Sequence, residues 1–119
     1  MSTLTNLTWF ESINIFYTDT FLELFKYLTN LINLYFDMSD IYYSEITDTG
    51  LKNLLYLTNL KQLQIATCYI TDSGIQIFTS LITLEFLKIH ASGQITNDGT
   101  DLLIKNFYHQ EGDLEIEIV

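Results

Sequence analysis

The chain has no proline and no arginine among its 119 residues, a single cysteine and only five glycines. Average usage would give about six prolines, and their absence excludes a proline-rich linker and leaves no obvious domain boundary. One cysteine, Cys68, excludes an internal disulfide. The opening MSTLTNLTWFESINIF has no basic n-region of a secretory leader, so a reducing cytoplasmic setting is expected. The sequon Asn6-Leu7-Thr8 carries no meaning without secretion. No apolar run approaches the ~20 residues of a membrane-spanning helix, and no polybasic or lipidation motif stands in for one. No membrane partner is therefore expected.

The missing arginine is part of a wider charge imbalance. Lysine supplies all five basic side chains against fifteen acidic ones, a formal net charge of -10. Phosphate backbones are gripped by clustered Lys and Arg, so no nucleic-acid partner is expected. A basic protein surface is the electrostatically favoured kind of partner, and the charge serves solubility equally well.

What the chain does contain is apolar material in a repeating order. Hydrophobic residues make up 48% of it, and mean hydropathy is +0.19, which excludes a disordered acidic chain. The segment Ile46-Thr-Asp-Thr-Gly-Leu51 returns as Ile70-Thr-Asp-Ser-Gly-Ile75, a period of 24 residues. Between the two copies Leu60, Leu63, Ile65, Cys68 and Ile70 fall on the frame L-x-x-L-x-L-x-x-N/C-x-L. On these residues the chain resembles the leucine-rich repeat proteins. Cys68 followed by Ile-Thr-Asp-Ser-Gly-Ile is similar to their cysteine-containing, ITDxGL subclass, and the spacing after Cys68, one residue shorter than usual there, resembles 24-residue bacterial-style variants. The resemblance implies an α/β leucine-rich repeat solenoid with a concave parallel β-sheet and convex helices. It also implies protein recognition, as in ubiquitin-ligase adaptors and enzyme inhibitors built on similar repeats; a complete ligase adaptor, with an F-box-like helical segment before the repeats, is not expected.

The units run over 4–27, 28–56, 57–80 and 81–107, with a terminal strand at 112–119, and together form one expected domain of about four and a half repeats. The tetrapeptide Leu-Thr-Asn-Leu marks the starts at 4, 28 and 57. In the first unit two strand frames stay open: one places Ser12 in the core, and a one-residue shift would bury Ile13 and Ile15 instead and exchange the faces. Phe21, Leu22, Leu24, Phe25 and Leu28 have helical spacing, with Thr18 or Asp19 placed to cap the helix. Asp48, Asp72 and Asn97 fall at the same place in later units, where capping and the helix dipole explain them better than catalysis. Gly50, Gly74 and Gly99, each two residues after the Asp or Asn, are expected to allow close backbone packing between units rather than to bind phosphate. The second unit is longer by a stretch at 40–45, DIYYSE, expected to bulge from the stack; Tyr42 and Tyr43 there either make an adhesive edge or fold down onto it. The tail from Gly112 alternates strictly, repeats Leu87-x-Ile89 as Leu114-x-Ile116, and is expected to be a last strand whose Glu115 and Glu117 discourage further pairing.

Strand alternation then selects the candidate contacts, because residues between the framework leucines face away from the core. These are Trp9 and Glu11; Asn33, Tyr35 and Asp37; Gln62, Gln64 and Ala66; Phe86, Lys88 and His90; and Asp113, Glu115 and Glu117. Aromatic, amide and charged side chains in one row suit a protein-binding surface, and Trp9, Tyr35 and Phe86 exceed what a merely solvated face requires. The expectation is a protein–protein interaction module using this row or the 40–45 insertion. The alternative is a self-associating or fragmentary repeat array with a structural role. No enzyme, cofactor or metal site is expected. His90 and His109 lack metal-ligand spacing, and Cys68 occupies a framework position pointing inward while His90 points outward, which disfavours a nucleophilic pair.

Overall fold

Apolar side chains at alternate positions make short strands, and here five of them form one sheet. The computed structural model describes residues 6–12, 18–36, 45–66, 69–90, 94–107 and 115–118. The strands are β1 (Trp9–Ser12), β2 (Asn33–Phe36), β3 (Gln62–Ala66), β4 (Phe86–His90) and β5 (Glu115–Ile118). They lie in chain order, every neighbouring pair parallel. Phe10 pairs with Leu34, Leu34 with Leu63, Leu63 with Leu87, and Leu87 with Ile116, so one apolar row crosses the whole sheet. Leu34, Phe36, Leu63, Ile65, Leu87 and Ile89 are fully buried and belong to a single apolar core.

The structure decides the two points of register left open or misplaced by the sequence. Ser12 pairs with Phe36 and is 4% exposed, so β1 follows the frame that puts serine in the core. A one-residue slip would have turned Phe10 outward. Phe10 instead packs against Phe21 and edge-on against Phe25, which in turn meets Phe36 edge-on at 5.8 Å between ring centroids. In β5 the partner of Leu87 is Ile116 rather than Leu114, and Ile89 pairs with Ile118. That correction is a slide of two residues. Because side chains alternate with period two, such a slide leaves both faces unchanged and hydropathy cannot detect it.

Between strands the chain turns back through helical segments: α1 (Asp19–Leu22), α2 (Asp48–Leu51), α3 (Asp72–Ile75) and α4 (Asn97–Phe107). The first three are single α-turns that tighten at once into 3-10 helix, over Glu23–Tyr27, Lys52–Tyr56 and Gln76–Ser80. The expected single helix of the first unit is thus divided. A 3-10 segment rises about 2.0 Å per residue against about 1.5 Å in an α-helix, so it covers the same path with fewer residues. Leu22 with Phe25, Leu51 with Leu54, and Ile75 with Phe78 point into the core at a spacing of three, and Leu103 with Phe107 do so from α4. After the first two 3-10 segments a Leu-Thr-Asn-Leu turn, and after the third its counterpart Leu81-Ile-Thr-Leu84, brings the chain to the next strand. Its amides and hydroxyls tie neighbouring turns together: Asn59 Nδ2 donates to the Thr29 carbonyl at 3.0 Å, and Thr83 Oγ1 to that of Leu60 at 2.7 Å.

Asp48 and Asp72 do not cap their own helices, which corrects the expectation for them, and of the two candidates Thr18 and Asp19 the first helix uses Thr18. A threonine stands at the N-cap position before each aspartate, although Thr47 makes no side-chain bond there. Thr18 Oγ1 accepts the Phe21 N–H at 3.1 Å, Thr71 Oγ1 that of Gly74 at 3.4 Å, and Thr96 Oγ1 that of Gly99 at 3.4 Å. Each carboxylate reaches instead to the threonine of the next unit. Asp19 accepts the Thr47 N–H at 2.8 Å and its hydroxyl at 2.5 Å; Asp48 accepts the same two groups of Thr71 at 2.9 and 2.6 Å; Asp72 accepts both from Thr96. A carboxylate has lone pairs for two donors at once, while a hydroxyl donates one way and accepts another, so threonine can serve both units. Being in the first helical turn, each aspartate also lies at the favourable end of its own helix dipole.

The glycines are explained by these carboxylates. A Cβ on Gly50 would lie 1.9 Å from Asp19 Oδ1, one on Gly74 1.9 Å from Asp48 Oδ1, and one on Gly99 2.1 Å from Asp72 Oδ1. We expect Gly74→Ala to cost about 1–3 kcal/mol in chemical denaturation, because Asp48 must swing away from Thr71. In an Asp48→Ala background that penalty should vanish or reverse by up to about 1 kcal/mol, since alanine is the better helix former. The Thr96 hydroxyl, then its backbone N–H, hold the Asp72 carboxyl below its ordinary value of 3.8, against a smaller opposing effect of burial. This contribution to stability is complete above the unfolded carboxyl value and is lost as pH falls through the depressed folded one. Acid denaturation of Asp72→Asn should accordingly show a shallower decline below about pH 4 than the parent.

Candidate functional site

The sheet has one face on the core and one face free of it, and the free face collects the side chains between the buried ones. Cross-strand pairing arranges them in rows. Trp9, Asn33, Gln62, Phe86 and Glu115 form the first; Glu11, Tyr35, Gln64, Lys88 and Glu117 form the second. His90, opposite Ala66, begins a third. The structure therefore brings together twelve of the fourteen row residues singled out from the sequence: Trp9, Glu11, Asn33, Tyr35, Gln62, Gln64, Ala66, Phe86, Lys88, His90, Glu115 and Glu117. Asp37, Tyr42 and Tyr43, together with Cys68, His109 and Asp113, lie outside the described residues.

The face has three chemically distinct parts. At the β1 end Trp9 is 53% exposed and stands against Tyr35, ring centroids 5.3 Å apart and planes inclined at 56°. Tilted aromatic pairs at this distance are attractive beyond their burial. In the middle, the Tyr35 hydroxyl donates to Gln62 Oε1 and at 3.5 Å to Asn33 Oδ1, and Gln64 Nε2 reaches the Phe36 carbonyl at 3.5 Å. At the β5 end Lys88 Nζ faces Glu117 Oε1 at 3.7 Å across the strand pair.

Titration follows from these neighbours. Burial, with the Glu11 carboxylate second, pushes the Tyr35 phenol above its ordinary 10.0, so it remains a neutral donor across the physiological range. Burial and then the Lys88 ammonium hold the His90 imidazole below 6.5, and Glu117 acts weakly in the opposite sense. Among the described residues no three His, Cys, Asp or Glu side chains gather into a set that could hold a metal ion. No helix among them is long and apolar enough to cross a membrane.

Two surface features were not singled out from the sequence. A shallow cavity of about 400 Å³ lies along the helix-to-strand turns, lined by Asn6, Thr8, Asn30, Ile32, Asn59, Lys61 and Thr83. The recurring Leu-Thr-Asn-Leu tetrapeptide was the available signal, since it puts an amide at the same corner of successive units. On the helical side Leu24, Tyr27, Leu55 and Tyr56 are exposed, Tyr27 and Tyr56 at equivalent positions of neighbouring units. Lys26 Nζ lies 5.2 Å from the centre of the Tyr27 ring. Neither models of known families nor curated proteins give a match to this chain.

A depressed imidazole has a definite sign in stability. The neutral form is favoured in the folded state, so the folded state binds the proton less readily than the unfolded one, and stability falls as pH drops from above 6.5 through the lower folded value. His90→Gln should remove that part of the slope, measured as the denaturation midpoint at a series of pH values between about 5 and 7.5.

Proposed function

We propose that the chain is a leucine-rich repeat solenoid and that the outer face of its sheet, concave in that architecture, binds another protein. The observation that carries this reading is the pairing of half-exposed Trp9 with Tyr35 at one end of a continuous row that runs through Gln62 and Gln64 to Phe86 and Lys88. Trp and Tyr are the side chains that most often supply large binding energies at interfaces, and amides beside them add directional hydrogen bonds. The repeat reading is supported by the 24-residue return of Ile-Thr-Asp, by parallel strands in chain order, and by framework leucines buried in one core.

A binding role, not a catalytic one, fits the chemistry of the row. Among the described residues its titratable groups are spread along the sheet, with Lys88 facing Glu117. The net charge of -10 favours a partner with a basic surface over nucleic acid.

Capture of a partner from the native source tests the reading. Phe86→Ala combined with Lys88→Ala should reduce capture at least about tenfold while circular dichroism stays unchanged, since losing an aromatic anchor and the neighbouring lysine stem together costs more than about 1.4 kcal/mol. Tyr27→Ala combined with Tyr56→Ala, on the helical side, should leave capture intact. The opposite pattern would move the interface to the helices.

A further inference from the structure

Trp9, Glu11 and Tyr35 stand together at one corner of the sheet face. Trp9 and Glu11 are two apart on β1 and so project to the same side, and Glu11 is the direct cross-strand partner of Tyr35. The two rings touch, centroids 5.3 Å apart and planes inclined at 56°, and Trp9 is more than half exposed. The Tyr35 hydroxyl donates to Gln62 and Asn33, which ties the ring to the neighbouring strand. Glu11 is exposed beside this aromatic pair. Among the described residues Lys88 is engaged with Glu117, three strands away from β1, and no salt bridge reaches Glu11. That the carboxylate is felt at the phenol is seen in the raised titration of Tyr35, to which Glu11 contributes after burial.

Aromatic faces attract cations through the ring quadrupole, Trp most strongly, and arginine adds planar stacking and a fork of donors that a carboxylate accepts two at a time. We propose that Trp9, Tyr35 and Glu11 form a receptor for an arginine side chain of the bound protein, its guanidinium stacked on the rings and donating to the Glu11 carboxylate. This rests on the sheet face being the binding face, and it names the chemistry that one corner reads. Charge complementarity selects the occupant: the protein carries -10 overall, and the acidic group at this corner is adjacent to the one strongly exposed aromatic side chain of the sheet.

Trp9 is the only tryptophan, so its indole gives a single, assigned resonance in a nitrogen–proton spectrum of the intact chain. Titration with acetyl-Gly-Arg-Gly-amide should shift that resonance saturably, and the same peptide with citrulline, equal in shape but uncharged, should not. Glu11→Gln and Tyr35→Leu should each weaken the arginine peptide about two- to fivefold, the loss set by one carboxylate or one ring at an exposed site. Tyr35→Phe, which keeps the ring, should bind within about twofold of the parent. Equal shifts from the citrulline peptide, or unchanged binding in both Glu11→Gln and Tyr35→Leu, would overturn the proposal. The two readings fail separately: loss of partner capture in the Phe86 and Lys88 variant with no arginine response would sink this receptor alone. An arginine response with capture untouched by that variant would uphold the receptor and restrict the interface to the β1 corner.

Discussion

The spacing between successive units depends on one fit, an aspartate carboxylate occupying the volume where the next unit's helix would otherwise carry a Cβ. Asp19 fills that volume at Gly50, Asp48 at Gly74 and Asp72 at Gly99. The fit is directional as well as steric. Both oxygens of each carboxylate accept from the threonine that opens the next helix, and that threonine turns its own oxygen back to a free amide of its helix in the third and fourth units. Apolar burial drives the strands and helical turns together but is indifferent to small slides. The polar contact on the helical edge is what fixes one distance, and the sheet register on the other side of the core is consistent with it.

Much of this architecture could be read from spacing alone. The frame running from Leu60 through Leu63 and Ile65 placed the buried side of β3 correctly, and its copies did so for β2 and β4. The glycines were recognised as sites of close approach. Their partners were not, because the residues concerned lie 31, 26 and 27 positions earlier (19 to 50, 48 to 74, 72 to 99) and no local pattern connects them. Asp and Thr are both good caps, so composition could not say which of two adjacent residues would take the role. The tail was harder still: Glu-Ile-Glu-Ile is the same after a slide of two, and only the pairing of Leu87 with Ile116 distinguishes the alternatives.

The candidate face was legible to the extent that alternation is strict. Once Leu34 and Phe36 are inside, Asn33 and Tyr35 are outside, and the same holds along the row. What alternation does not convey is rotamer and grouping: that Tyr35 leans to Gln62 and Asn33, that Trp9 closes on Tyr35, and that Lys88 turns to Glu117 and away from Trp9. These choices divide an apparently uniform row into an aromatic and acidic corner, an amide centre and an ion-paired far end. A surface so divided is polar enough to remain hydrated.

The reach of each aspartate into its neighbour has an evolutionary consequence. A glycine at 50, 74 or 99 cannot drift to another residue while the aspartate one unit earlier keeps its place, and that aspartate loses the hydroxyl half of its two hydrogen bonds if the threonine beyond it changes. Inheritance therefore acts on overlapping trios that straddle two units, and duplication or deletion preserves the joint only when it copies a whole length from one aspartate to the next. Phe21 takes the corresponding place in the first unit, where its ring packs against Phe10 and Phe25.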